Sequence, residues 1–199
     1  MRRGFQLLLA IEPDLMVCGE ADSAPGALEK ILALKPDVAI VDLALKSSSG
    51  LELIKQLRAQ SATLKILVFS MRAECFYAER ALRGGANGYI TKEEGTERAI
   101  EAIRLLMRGK HYVSPLLAEA MIGRLAGNSA ATGPTESLSD REMELLDLVG
   151  LGLGSQEVAR SMGISMKTVE SHREHIKTKL GLKSASELVS YAFHWVNGK

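Results

Sequence analysis

The chain has 199 residues, 46% of them hydrophobic and 25% charged, and a formal net charge of +1. That is the composition of an ordinary folded protein, with enough chain for two small domains. The near-neutral balance excludes a uniformly basic surface, so affinity for nucleic acid has to come from a local patch.

The first residues, MRRGFQLLLAI, imitate a signal peptide only faintly. Gln6 interrupts the apolar run, and Glu12-Pro13-Asp14 stands where small cleavage-site residues belong. Phe5, Leu8 and Leu9 at i, i+3, i+4 predict an amphipathic helix instead. Strand-like and helix-like segments then alternate. Leu15 to Gly19 is a short apolar run, and Pro25 to Leu34 has helical spacing. Val38-Ala39-Ile40-Val41 is a compact apolar run ending in Asp42, and Leu51 to Leu57 is helical. Ile66-Leu67-Val68-Phe69 ends in Ser70, and Cys75 to Leu82 is helical. Gly84 and Gly85 mark a turn, Gly88-Tyr89-Ile90-Thr91 ends before Lys92, and Glu97 to Met107 is a last amphipathic helix.

Apolar strands without polar alternation, separated by helices, imply a parallel sheet buried on both faces. Ligands of such sheets bind beyond the carboxyl ends of the strands. Asp42, Ser70 and Lys92 stand there. Each alone reads as a polar residue meeting solvent. On three consecutive strands, an acid, a hydroxyl and an ammonium point to a phosphoryl site, with the carboxylate as nucleophile and the other two as phosphoryl-oxygen partners.

Residues 111–137 connect this region to the rest. Leu116 to Leu125 predicts a helix, and Gly127 to Glu136 (GNSAATGPTE) predicts a flexible linker. Two cysteines, Cys18 and Cys75, lie far apart and match no metal spacing, as expected for reduced thiols of a cytoplasmic protein. No apolar run reaches the length of a membrane span.

Four short amphipathic helices follow in Ser139 to Ala192. Ser139 and Glu142 form a capping box for the first, whose buried stripe is Leu145, Leu146, Leu148 and Val149. Ser155 is the expected N-cap of the second, with Val158, Ala159 and Met162 inward. Gly163 breaks it, and Ser165 caps the third. Val169, Ile176 and Leu180 form the core stripe of that third helix. Lys167, Glu170, Ser171, Arg173, Glu174 and Lys177 are therefore expected to point away from the core. Ser184 and Glu187 cap the last helix. From Arg160 to Lys183 there are six Lys and Arg against two Glu, a local basic patch in a neutral chain.

The second and third of these helices make a helix-turn-helix, in which the third lies in the major groove of double-stranded DNA. Glu170, Ser171 and Glu174 are candidate base readers. Lys167, Thr168, His172, Arg173, Lys177 and Lys179 are candidate phosphate contacts. For His172, a packed, hydrogen-bonded role is the open alternative.

Residues 138–199 resemble the LuxR-type helix-turn-helix through Ser155, Glu157-Val158-Ala159, Ile164-Ser165, Thr168-Val169 and His172. Residues 1–110 resemble a response-regulator receiver, with VDLAL around Asp42, FSM around Ser70 and GYITK around Lys92. Together they resemble the NarL/FixJ class of two-component response regulators over essentially the whole chain. The resemblance implies an α/β flavodoxin-like receiver with a parallel sheet, joined by a linker to an all-α four-helix domain. It implies a transcriptional regulator that is not an enzyme, dimeric on DNA and addressed by a sensor histidine kinase. Asp42 is then the phosphoacceptor, Ser70 the switch hydroxyl, Lys92 the phosphoryl-contacting lysine and Tyr89 the responding aromatic. Asp42 and the main-chain carbonyl of Ala44 become ligands of Mg2+.

The chain departs from the class at its start. The class opens with a strand ending in an acidic pair that holds magnesium, whereas MRRGFQLLLAIEPDL resembles the helix after that strand. The expected receiver lacks its first strand, and its magnesium site is incomplete. A start codon assigned too late, a fragment, or a sheet that closes up or borrows a strand from another copy would each account for this. The alternative reading is a phosphorylation-independent regulator, acting as an interaction module that pairs with a full-length partner.

Overall fold

The computed structural model describes residues 2–45, 48–126 and 134–197. The chain divides into two compact units. One comprises Met1–Leu45 and Gly50–Ile122, and the other Lys46–Ser49 and Gly123–Lys199.

The first unit begins with α1 (Arg2–Ile11) and α2 (Ala24–Leu34). Proline in the first turn suits α2, because the amide it lacks has no helical partner there. Strand β1 (Val38–Val41) follows, then the two-residue strand β2 (Ala44–Leu45); the two-residue strand β3 (Ser48–Ser49) comes next in the chain. Helix α3 (Gly50–Gln60), strand β4 (Lys65–Ser70), helix α4 (Glu74–Arg83), strand β5 (Gly88–Thr91) and helix α5 (Thr96–Met107) complete the alternation, with a 3-10 turn at Lys92–Glu94.

Among the described residues the main sheet has three parallel strands in the order β1-β4-β5. Val38 pairs with Lys65 and Val41 with Val68, while Leu67 pairs with Gly88 and Ser70 with Thr91. The chain returns after α5 to lay Tyr112 beside Gly88.

Alternation along β4 supplies both faces of the sheet. Leu67 and Phe69 pack with Leu9 of α1, Ile90, and Ala99, Ile100, Ala102, Ile103 and Leu106 of α5. Ile66 and Val68 face the other way and are fully buried, as are Ile54 of α3 and Ala78 and Ala81 of α4. This two-sided burial is why the strands read as unbroken apolar runs.

Leu15–Gly19, expected as a strand, is not one. In the doubly wound order 2-1-3-4-5, the second strand pairs only with the first. The observed β1-β4-β5 order corresponds to the 3-4-5 part, and no first strand is present among the described residues to receive it.

The second unit is helical. Helix α6 (Pro115–Leu125) leads into it, and Gly127–Gly133 of the expected linker lies outside the described residues. Pro134–Ser137, expected to be linker too, forms a 3-10 turn with Thr135 buried. Helices α7 (Asp140–Gly150), α8 (Ser155–Met162), α9 (Met166–Leu180) and α10 (Ala185–Asn197) enclose one core. It contains Leu145, Leu146, Leu148 and Val149 of α7, Val158, Ala159 and Met162 of α8, Val169 and Ile176 of α9, and Leu188 and Ala192 of α10.

The capping chemistry holds at most ends. Ser139 Oγ accepts from Glu142 N, while Ser139 N donates to Glu142. Ser165 Oγ accepts from Thr168 N at 3.1 Å, and Ser184 Oγ from Glu187 N at 3.1 Å. Ser155 does not cap α8. Gly154 holds the cap position, with its N donating to Glu157 Oε2 at 3.0 Å, and Ser155 opens the helix. The side chain of Ser155 is thereby released for a contact with α9.

Candidate functional site

Two groups of side chains concentrate chemistry. The first lies at the carboxyl ends of β1, β4 and β5. Asp42 follows the last residue of β1, Ser70 ends β4, and Lys92 follows β5. Because the strands are parallel and in register, their ends converge. Ser70 Oγ donates to Asp42 Oδ1 at 3.1 Å, and Lys92 Nζ donates to Asp42 Oδ2 at 2.5 Å. Ala44 N also donates to Asp42 Oδ1, at 3.1 Å. Ser70 is fully buried, whereas the Asp42 side chain remains 31% exposed. The three residues therefore form one contact group, with the carboxylate reachable from solvent.

Tyr89 is wholly buried on β5, and its hydroxyl donates to the carbonyl of Arg72 at 2.8 Å. It points into the unit rather than outward.

The donor set at Asp42 does not fit magnesium. Mg2+ demands near-octahedral oxygen coordination, usually built on carboxylates. Here one carboxylate and the main chain of Ala44 are on offer, and both carboxylate oxygens already accept hydrogen bonds. Asp42 belongs to no group of three or more acidic, histidine or cysteine side chains among the described residues. The acids nearest the start of the chain are used elsewhere. Glu12 and Asp14 both bind Arg104 of α5, Asp14 at 2.7 and 2.9 Å. The hydrogen bond from Arg104 holds the Asp14 carboxyl below the usual carboxylate range.

The second group lies on α9. Lys167, Thr168, Glu170, Ser171, Glu174 and Lys179 are exposed, while His172, Arg173 and Lys177 are half-buried. Arg173 was expected to face away from the core, but its side chain is only 17% exposed. Its Nη1 donates to Ser155 Oγ at 3.0 Å, and Ser155 Oγ donates to Glu170 Oε1 at 2.7 Å. This chain of bonds ties α8 to α9. Arg173 Nε is buried without a hydrogen-bond partner among the described residues. Lys177, also expected to point clear of the core, pairs with Glu174 at 2.9 Å.

Lys179 is committed as well. It donates to Glu142 Oε2 on α7 at 2.6 Å, and Ser139 N donates to the same oxygen at 2.7 Å. Glu142 Oε1 faces His175 Nδ1 at 3.8 Å. Burial pushes the Glu142 carboxyl up, but the bonds from Lys179 and Ser139 outweigh burial and hold it below the usual carboxylate range. The sequence assigns Glu142 to a cap only. Its second role is invisible there because Lys179 and His175 lie more than thirty residues away and meet it only when α9 packs on α7.

The description "Response regulator receiver domain" matches residues 1–104, and "Bacterial regulatory proteins, luxR family" matches residues 136–192. The chain is 37% identical over 198 residues to oxygen regulatory protein NreC of Staphylococcus aureus, covering 96% of this chain and 91% of that protein. It is similar to the crystal structure of a LuxR-family two-component response regulator from Aurantimonas sp. SI85-9A1. That likeness has 28% identity and a TM-score of 0.58, over 63% of this chain and 89% of the other. In fold it is similar to RcsB of Salmonella enterica serovar Typhimurium bound to the promoter P1flhDC in the presence of the phosphomimetic BeF3-. There the identity is 24% and the TM-score 0.67, over 96% and 92% of the two chains. No helix among the described residues is long and apolar enough to cross a membrane. With a parallel-sheet receiver followed by a LuxR-type DNA-binding helix-turn-helix, the chain belongs to the two-component response regulators.

Proposed function

We propose that this chain is a cytoplasmic transcriptional regulator that reads double-stranded DNA with α9 and takes its signal at Asp42. Its working parts are a receiver over residues 1–110, a connector over 111–137 and a DNA-binding domain over 138–199. The observation that carries the signalling role is the contact group of Asp42, Ser70 and Lys92, built from three consecutive parallel strands. A sensor histidine kinase transfers a phosphoryl group from its histidine to the Asp42 carboxylate. Lys92 then neutralises the phosphoryl oxygens and Ser70 donates to them. Tyr89 responds to the change at Ser70. No step is assigned to Mg2+, because the residues at Asp42 do not make its coordination shell.

On DNA, the exposed side chains of the first half of α9, Lys167, Thr168, Glu170 and Ser171, face the groove. Glu174 reads bases beyond them. His172 is a further phosphate contact, and Lys177, Lys179 and Arg173 serve the phosphates only insofar as they leave their present partners. A two-fold dimer reads half-sites about one helical turn apart, or a multiple of it.

A second reading has its own support. Asp42 belongs to no cluster of three or more potential metal ligands among the described residues, which favours a regulator that ignores phosphate and pairs with a full-length partner. One experiment separates the two: exposure to a small phosphodonor with magnesium, read by intact mass, with Asp42→Asn as control. A phosphoryl adduct on the wild type alone supports the first reading. A folded protein without an adduct sinks it and leaves the second, which mixed dimers on DNA then test.

A further inference from the structure

We propose that Glu142, His172 and His175 bind one divalent transition-metal ion of the zinc class, clamping α7 to α9. One ligating atom of each residue lies within 4.8 Å of the other two. His172 and His175 stand at i and i+3 of α9, which puts both imidazoles on one face. Glu142 comes to them from the first turn of α7 and is only 3% exposed.

The division of labour on the Glu142 carboxylate favours a cation at this point. Oε2 takes the bonds from Ser139 N and Lys179 Nζ, which orient the group. Oε1 faces His175 Nδ1 at 3.8 Å, too far for a hydrogen bond. An ion bound at Oε1 would leave Lys179 on the other oxygen, so it need not displace the ammonium. Such anchoring of a ligand by neighbouring donors is how metal sites fix the residues that touch the ion.

Donor chemistry selects the ion. Two imidazoles and one carboxylate suit zinc and its neighbours rather than magnesium or calcium. Three protein ligands leave one position of a tetrahedral ion to water. Ligands at about 2.0–2.2 Å from zinc lie roughly 3.5 Å apart. Closing from the observed spacing takes about an ångström of movement, which the exposed His175 can supply by rotating. This inference is independent of how Asp42 is used.

The test is titration of the chelator-stripped, full-length protein with Zn2+ by calorimetry and with Co2+ by visible absorption. One equivalent should bind per chain, the cobalt form should show a tetrahedral spectrum, and Tm should rise with added ion. His175→Ala and His172→Ala should each weaken binding by more than the roughly 10–100-fold that loss of an outer partner costs. Circular dichroism checks that both variants fold. If His172→Ala does not melt cooperatively, His175→Ala decides alone, because its exposed side chain is not needed for packing. Absence of saturable binding would overturn the proposal. So would affinity unchanged by the histidine substitutions, or binding that is lost instead with Cys18→Ser or Cys75→Ser.

Discussion

Trp195 Nε1 donates to Asp147 Oδ1 at 2.9 Å, joining the last helix to the first helix of the DNA-binding unit. Asp147 is completely buried on α7, so its carboxylate depends on the donors around it. Trp195→Phe keeps the ring against the core but removes this donor. Stability should fall by about 1–3 kcal/mol, the cost of depriving a buried polar group of a partner. Urea denaturation followed by tryptophan-independent circular dichroism would measure it, and an unchanged midpoint would refute the role.

The same two helices touch at Gly150. A Cβ built there would lie 2.3 Å from the carbonyl oxygen of Ala192 and 2.5 Å from Val196 Cγ2. Gly150→Ala must therefore push α10 off α7. Overpacking of this kind costs about 1–3 kcal/mol or more, despite the gain in helix propensity that alanine brings elsewhere. A lowered Tm together with weakened DNA binding is the expected result. An alanine variant as stable as wild type would mean that the helices do not approach this closely.

In the receiver unit, Arg58 of α3 acts as a staple. Its guanidinium donates to the carbonyls of Gly85, Ser61 and Ala62 and to Asn87 Oδ1, which also accepts from Ile66 N. Gly85 fits under it because its φ is +108° and a Cβ there would lie 2.6 Å from Arg58 Cγ. Lysine carries the charge but not the planar fork. Arg58→Lys should lower stability by about 1–3 kcal/mol through carbonyls left unpaired, read as a shifted urea midpoint with an unchanged slope. A midpoint within error of wild type would show that the fork is dispensable.

The bond between Asp14 and Arg104 predicts a pH dependence. Arg104 lowers the folded carboxyl of Asp14 below its unfolded value of 3.8. A depressed carboxyl contributes stability that is fully present above the unfolded value and is lost as pH falls through the folded one. The Tm advantage of wild type over Asp14→Asn should therefore be constant near neutrality, begin to shrink as pH falls below 3.8 and vanish once pH lies below the folded value. It should also shrink in high salt, because the pair is exposed. An advantage that grows in acid would reverse the assignment.

On α9, Lys167 is exposed and close to the helix start. Lys167→Ala should weaken binding to all duplexes alike and reduce the salt slope by about one. Glu174→Ala should instead change which sequence is preferred. Measured over a salt series on cognate and scrambled duplexes, a uniform loss for Glu174→Ala would remove it from the base readers.

Periodicity and caps make most of the elements legible in the sequence. Helix α7 follows from Ser139, Glu142 and the leucine stripe, and strand β4 from the apolar run ending in Ser70. These signals are local, because a capping box or a buried stripe is written within one or two turns. The strand-end group was legible for a related reason, since parallel strands deliver their last residues to one edge. The expected strand at Leu15–Gly19 failed because pairing needs a neighbour that its own residues do not encode.

What the residues determined alone was the kind of protein: a parallel-sheet receiver with Asp42, Ser70 and Lys92 at its edge, and a helix-turn-helix whose third helix is basic. Only the tertiary structure decided how the charged side chains of that helix are spent. Ser155 leaves its expected cap to bridge Arg173 and Glu170, and Lys179 turns to the buried Glu142. Helix periodicity says which side of α9 a residue occupies. It cannot say which carboxylate or hydroxyl on another helix will be within reach, because that depends on how α7 and α8 pack against it.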